Sequence, residues 1–204
     1  MASDKRVFSL ESPHGPGGVF FTWQKASGGF LASTGYNQVV NIYDRHGNLR
    51  EQIHLPGVCS GFGWDKDGAL LSIINDRSPL VHVWDANSGR VQHLDSGLRD
   101  TLTFLAWSRT APLLAVGTAK GNLMIYNHQT SRRIPVVGKH SRKIQSGSWS
   151  SGNLLALGGE DKILTISSSE GDTLRTTPLR GEPSDIQFSE MKQDERAMAE
   201  NTVW

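Results

Sequence analysis

Serine, histidine and aspartate are all plentiful, and the seven histidines raise the question of a metal site as well as of a hydrolytic triad. A nucleophilic serine is presented on a sharp turn whose sequence sign is Gly-x-Ser-x-Gly, and no such string exists here. Ser146-Gly147-Ser148 runs into Trp149 inside an extended segment and reads as backbone packing space. Zinc is held by closely spaced Cys and His. Here His46, His54, His82, His93 and His128 are scattered with no close-spaced pair, and Cys59 is the only cysteine. Gly158-Gly159-Glu160-Asp161 matches the Gly-Gly-Glu signature of nucleotide cyclases. That site needs helices around its loop, whereas this string lies between two short apolar runs. It reads as a tight turn followed by a structural Asp161. Lys120-Gly121-Asn122 is likewise a hairpin turn, with glycine supplying positive φ. No catalytic residue, cofactor-binding residue, metal ligand or cofactor is expected, and the chain reads as a non-enzyme.

The densest charge cluster is Arg132, Arg133, Lys139, Arg142 and Lys143, with His140 among them and no acid between 132 and 143. Its functional reading is docking of an acidic peptide, a partner subunit or a lipid headgroup. Its structural reading is a solvated loop whose charges keep an exposed edge strand from pairing, and that reading is the favoured one. Nucleic acid fits poorly: 21 basic against 20 acidic residues leave a net charge of +1, and no aromatics interleave the cluster.

With one cysteine, no internal disulfide forms. The first ten residues hold no apolar run of signal-peptide length, and no stretch approaches the roughly 18 to 20 apolar residues that span a bilayer. A soluble, cytosolic and not membrane-spanning chain is expected.

The elements that position these residues follow from a repeat. Trp23, Trp64, Trp107 and Trp149 stand 41, 43 and 42 residues apart. A second landmark keeps the same phase: Tyr43-Asp44, Trp84-Asp85, Tyr126-Asn127 and Ser167-Ser168, spaced by 41, 42 and 41 residues. Between them lie short runs such as Phe30-Leu31-Ala32 and Val39-Val40-Asn41-Ile42, then Leu113-Leu114-Ala115-Val116 and Leu123-Met124-Ile125. Runs of this length, bounded by Gly, Asn, Asp and Ser, predict strands.

A period of about 40 to 45 residues with four short strands and a Trp-Asp dipeptide resembles the WD-repeat superfamily of β-propellers. The likeness covers nearly the whole chain. The superfamily's Gly-His element is matched by Gly138 and His140, nine residues before Trp149, and His14 has the same offset before Trp23. The resemblance implies that such a histidine pairs with an aspartate six residues before the second landmark, which is Asp161 in the fourth unit. That position holds Asn37, Ser78 and Lys120 in the first three units, so an incomplete network is expected there. It also implies that the loop into the fourth unit lies on the narrow face that superfamily members commonly use for partners.

Longer strings are more specific. Ile42-Tyr43-Asp44-Arg45-His46-Gly47, Trp64-Asp65-Lys66-Asp67-Gly68 and the run from Leu114 to Ile144 closely resemble the N-terminal propeller of the WD repeat-containing protein 19 family, large subunits of intraflagellar transport complex A. The likeness runs from about Val7 to Phe188 and fades over Met191 to Trp204. It implies a non-catalytic scaffold in retrograde ciliary transport and ciliary entry of membrane proteins. The partners it implies are other complex A subunits, in a hetero-oligomer of the cilium or flagellum, the ciliary base and the cytoplasm. A general WD-repeat adaptor, for a vesicle coat or a ubiquitin ligase, is the alternative, and an enzyme with groups converging near a central channel has no positive sign.

The expected fold is all-β, a WD40-type propeller of four blades plus the start of a fifth. Residues 1–18 form a lead-in strand, 19–57, 58–100, 101–141 and 142–181 the blades, and 182–204 the fifth start and a charged tail. Phe188 stands in the tryptophan position of that fifth unit, and the charged stretch runs from Glu190 to Glu200. Of a closed four-bladed ring and a part of a larger propeller, the second is favoured. The expected blade anchors are Trp23, Trp64, Trp107, Trp149, Trp84, Asp85, Tyr43, Asp44, Tyr126, His140 and Asp161.

Overall fold

The computed structural model describes residues 7–189 and the backbone of the short segment 202–203, and every regular element in it is a strand. Four antiparallel sheets follow one another along the chain, each a meander of sequence neighbours. The first contains β1 (Phe20–Trp23), β2 (Phe30–Thr34), β3 (Val39–Asp44) and β4 (Leu49–His54). The second contains β5 (Cys59–Trp64), β6 (Leu70–Asn75), β7 (Leu80–Asp85) and β8 (Val91–Asp95). The third runs through β9 (Leu102–Trp107), β10 (Leu113–Thr118), β11 (Leu123–Asn127) and β12 (Arg132–Val136). The fourth runs through β13 (Ile144–Trp149), β14 (Leu155–Gly159), β15 (Ile163–Ser167) and β16 (Thr173–Pro178). A two-stranded sheet follows, pairing β17 (Phe188–Ser189) with β18 (Thr202–Val203).

The second landmark of the repeat closes the hairpin between the third and fourth strand of each sheet. Asp44 Oδ1 accepts from the backbone N–H of His46 and Asn48. Asp85 Oδ1 accepts from Asn87 N–H at 2.8 Å. Asn127 Oδ1 accepts from Thr130 N–H, and Ser168 Oγ accepts from Glu170 and Asp172 N–H. A short side-chain acceptor at the end of the third strand satisfies turn donors that no strand can reach. That requirement, renewed in every blade, sets the period.

The core lies between sheets rather than inside any one of them. Leu71 and Ile73 of β6 join a cluster with Val40 and Ile42 of the first sheet, whereas Ile74 joins Leu114, Val116 and Met124 of the third. Ala115, Leu123 and Ile125 point the other way, to Ile144, Trp149 and Leu157 of the fourth. Alternate residues of one strand face opposite sheets, so the middle strands must be apolar on both faces and read as continuous apolar runs. The last cluster is small, built on Ala156, Ile186 and Phe188. Phe188 is buried in it, as a residue at the tryptophan position should be.

One feature departs from expectation. Residues 7–18 form bends and turns, so no lead-in strand exists in the described part of 1–18. Phe8 and Pro13 make local contacts to the first sheet instead, Phe8 against Trp23 at 6.5 Å and the Pro13 carbonyl accepting from Asn41 Nδ2. The charged stretch Glu190 to Glu200 lies outside the described residues.

The sheets do not close into a ring. In β1, the first strand of the first sheet, Phe20, Phe21 and Trp23 are 57%, 66% and 39% exposed, whereas Trp64 and Trp149, at the repeat position of Trp23, are 8% and 2% exposed. Those two tryptophans also donate Nε1–H back to the preceding sheet, to the Thr22 and Ala106 carbonyls at 3.4 and 3.0 Å. Truncating a fully buried tryptophan costs about 3–5 kcal/mol, and one left partly exposed costs less, about 1–2 kcal/mol. Urea unfolding of Trp149→Ala and Trp23→Ala is expected to show that difference; equal losses would contradict the packing described.

Candidate functional site

The loop entering each sheet meets the turn between its second and third strands, and in the fourth sheet this junction holds a buried hydrogen-bond chain. His140 Nδ1 lies 3.0 Å from Asp161 Oδ1, and Nε2 lies 3.1 Å from Thr165 Oγ1 on β15. Asp161 also accepts from the N–H of Ser141 at 2.9 Å and of Ile163 at 3.2 Å. The His140 side chain is fully buried and that of Asp161 is 5% exposed. Burial opposes ionisation of Asp161, but the bonds from His140, Ser141 and Ile163 outweigh it and hold the carboxyl below the usual aspartate range. Hydroxyl, imidazole and carboxylate in a row have the order of a hydrolytic triad. Thr165 is buried, so no substrate meets this hydroxyl, and the chain acts as a lock between loop and turn.

The other sheets solve the same problem with different groups. In the first, His14 Nδ1 lies 3.0 Å from Asn37 Oδ1, and Nε2 lies 2.8 Å from Ser33 Oγ, a hydroxyl from β2 rather than from the third strand. In the second, Asp76 Oδ1 accepts from Val58 N–H at 2.8 Å. In the third the polarity reverses: Asp100 on the incoming loop accepts from Lys120 N–H of the turn at 2.8 Å. Position-by-position counting finds Ser78 and Lys120 at these places and misses both aspartates. A search for any aspartate near the turn, on either side, finds them. Gly121, at φ 80°, lets that third turn sit against the His140 loop, since a Cβ there would collide with the His140 carbonyl oxygen.

Of the expected anchors, Trp64 and Trp84 pack together with Phe30, their ring centroids 6.0 Å apart and edge to face. Tyr43 is buried and its hydroxyl accepts from Asn41 Nδ2, while Tyr126 is half-buried. Asp44 and Asp85 cap turns, as described above. Trp149 is buried, Trp107 is half-buried, and Trp23 stands at the open face.

The basic cluster is partly used within the chain. Arg132 pairs with Glu170 at 2.9 Å, and Lys139 Nζ donates to the Gly171 carbonyl and Thr173 Oγ1, so both grip the β15–β16 hairpin of the next blade. Burial pushes the Lys139 ammonium below the usual lysine range, and Asp172 opposes that. Lys143 lies 3.8 Å from Glu160. Arg133 and Arg142 have no acidic partner among the described residues.

Two further features concern chemistry. His82 and His93, eleven residues apart, face each other across the β7–β8 register with ring centroids 4.7 Å apart. The hairpin thus makes a close pair that linear spacing did not show. Burial, with His93 adding, pushes His82 below the usual histidine range. No group of three metal-ligating side chains occurs among the described residues. Burial pushes the Cys59 thiol up to about 11, so little thiolate exists at neutral pH.

Residues 19–204 match the family model described as the first β-propeller of WDR19. The chain belongs to the WD repeat-containing protein 19 family. It is 56% identical over 201 residues to WD repeat-containing protein 19 of Mus musculus and 52% identical over 200 residues to that of Homo sapiens, 98% of this chain in each case. It is 33% identical over 87% of its length to WD repeat-containing protein dyf-2 of Caenorhabditis elegans. The chain spans 15%, 15% and 13% of the length of these relatives. The WD-repeat fold expected from the tryptophan spacing is therefore the fold of this family's first propeller.

The lowered Asp161 pKa gives a signed prediction. A folded-state pKa below the unfolded value contributes stability present above roughly pH 4 and lost as pH falls through the folded value. Removing one partner of a buried, charge-bearing pair costs about 2–4 kcal/mol. Asp161→Ala is expected to lose that much at pH 7, and less as pH falls toward 3, in urea titrations across that range. A loss that does not shrink in acid would show that the carboxylate is not what locks the junction.

Proposed function

We propose that this chain is a non-catalytic scaffold segment of intraflagellar transport complex A, acting through protein–protein contacts of its propeller loops. The observation that carries the reading is family membership over residues 19–204, on a fold of four successive sheets joined by loops, the parts of a fold that commonly carry binding contacts. Retrograde transport, ciliary entry of membrane proteins, and residence in the cilium or at its base belong to the same proposal. So do the blade intervals 19–57, 58–100, 101–141 and 142–181. Each encloses one four-stranded sheet.

The non-catalytic part rests on chemistry. Among the described residues the His140–Asp161–Thr165 chain is sealed, and burial holds Cys59 as a thiol. Of the basic cluster, Arg133 and Arg142 are the members left to meet an acidic surface, and the anchor residues act by holding the blades in register.

Affinity purification of the tagged chain from ciliated cells, followed by mass spectrometry, is the direct test. Other complex A subunits are expected in the recovered set. Recovery of vesicle-coat or ubiquitin-ligase subunits in their place, or of chaperones alone, would contradict the reading.

A further inference from the structure

The junction between the second and third blades differs from those on either side. At the junctions before and after it, the tryptophan of the inner strand donates Nε1–H to the carbonyl preceding the previous blade's tryptophan, Thr22 for Trp64 and Ala106 for Trp149. The equivalent acceptor for Trp107 is the Gly63 carbonyl, and that bond is not made. Trp107 Nε1 is buried with no partner in the chain. At this same junction a cleft of about 250 Å³ opens, with Trp107 in its wall.

The lining is two-sided. Leu70, Val83 and Leu94 of the second blade and the rings of Trp107 and Tyr126 of the third supply an apolar wall. Arg133, His93 and His128 add cationic or donor-capable nitrogens. Asp85 is the one acid in the lining, and its Oδ1 is already engaged by the N–H groups of Asn87 and Ser88. Those bonds lead in holding its carboxyl below the usual range, with His128 a minor contributor. Arg133 makes no ion pair within the described chain. The cleft therefore offers a guanidinium without an ion-pair partner beside an apolar wall to which the Trp107 ring belongs, the indole nitrogen itself being enclosed.

We infer that the cleft between the second and third blades binds a short acidic peptide segment of a partner protein, seating one large apolar side chain against Trp107 and Tyr126 and an adjoining carboxylate on Arg133. A carboxylate has only acceptors to offer, which suits the unpaired Arg133 guanidinium, and arginine binds it through two parallel N–H···O bonds. The size agrees: about 250 Å³ lies just under the roughly 300–1,000 Å³ of small-molecule sites and fits one side chain with its neighbour. Trp, Tyr and Arg are also the residue types that concentrate binding energy at protein interfaces. The inference concerns this cleft alone and holds whichever assembly the chain serves.

The test follows the Trp107 indole N–H resonance in the full chain, assigned by its disappearance in Trp107→Phe. The probes are N-acetyl-phenylalanyl-aspartate, its uncharged counterpart N-acetyl-phenylalanyl-asparagine amide, and inorganic phosphate. The acidic dipeptide is expected to shift this resonance saturably, and Arg133→Met to weaken its binding at least about tenfold, as loss of a charge-assisted pair does. The five other indole resonances report that Arg133→Met stays folded. Four results would overturn the inference: no shift with the acidic dipeptide, an equal shift with the amide, undiminished binding in Arg133→Met, or an equal response to phosphate, which would mark a simple anion site.

Discussion

A sheet that is apolar on both faces cannot stand alone in water, and each of the three inner junctions of this molecule answers that constraint. The middle strands put alternate side chains into the cores on their two sides, so every four-stranded sheet is stabilised by its neighbours more than by itself. The backbone ladder fixes the shape of each blade. The side-chain layer between blades fixes their order. The hairpin caps at Asp44, Asp85, Asn127 and Ser168 and the loop-to-turn locks at His140–Asp161 and His14–Asn37 then hold each sheet at the angle that lets the next one pack.

Much of this was legible in the residues, for a physical reason. A tryptophan at the end of the inner strand and a small acceptor at the end of the third strand occupy the same places in every blade, so each recurs at one period and together they mark the architecture. Phe188 was legible in the same way, since an aromatic at the right phase fills the same place. What phase does not encode is whether anything covers that place. Trp23 and Trp149 are identical in type and position, yet one is open to solvent and the other buried, because only the second has a blade before it.

Contacts between segments distant in sequence were the least legible. No acid lies within the basic cluster, but Glu160 and Glu170, both further along the fourth blade, take up Lys143 and Arg132. His82 and His93 look scattered until the β7–β8 hairpin sets them face to face. The third blade closes its junction with the aspartate on the loop rather than on the turn, because a hydrogen bond needs one donor and one acceptor, not a fixed side for each. Position counting assumes that the side is fixed, and so it fails there. Variation of this kind leaves the fold intact while making each junction chemically distinct.

The claim on which the account rests is that stability passes from blade to blade through buried inter-sheet layers. Hydrogen exchange resolved by mass spectrometry tests it strand by strand, because local opening reports how well each sheet is covered. Amides of β6 and β10, in the two sheets with a blade on each side, are expected to exchange slowest, and those of β1 at least about a hundredfold faster. Protection of β1 equal to that of β6 and β10 would show that each blade is stable by itself, and that the layers between them are not what holds the molecule together.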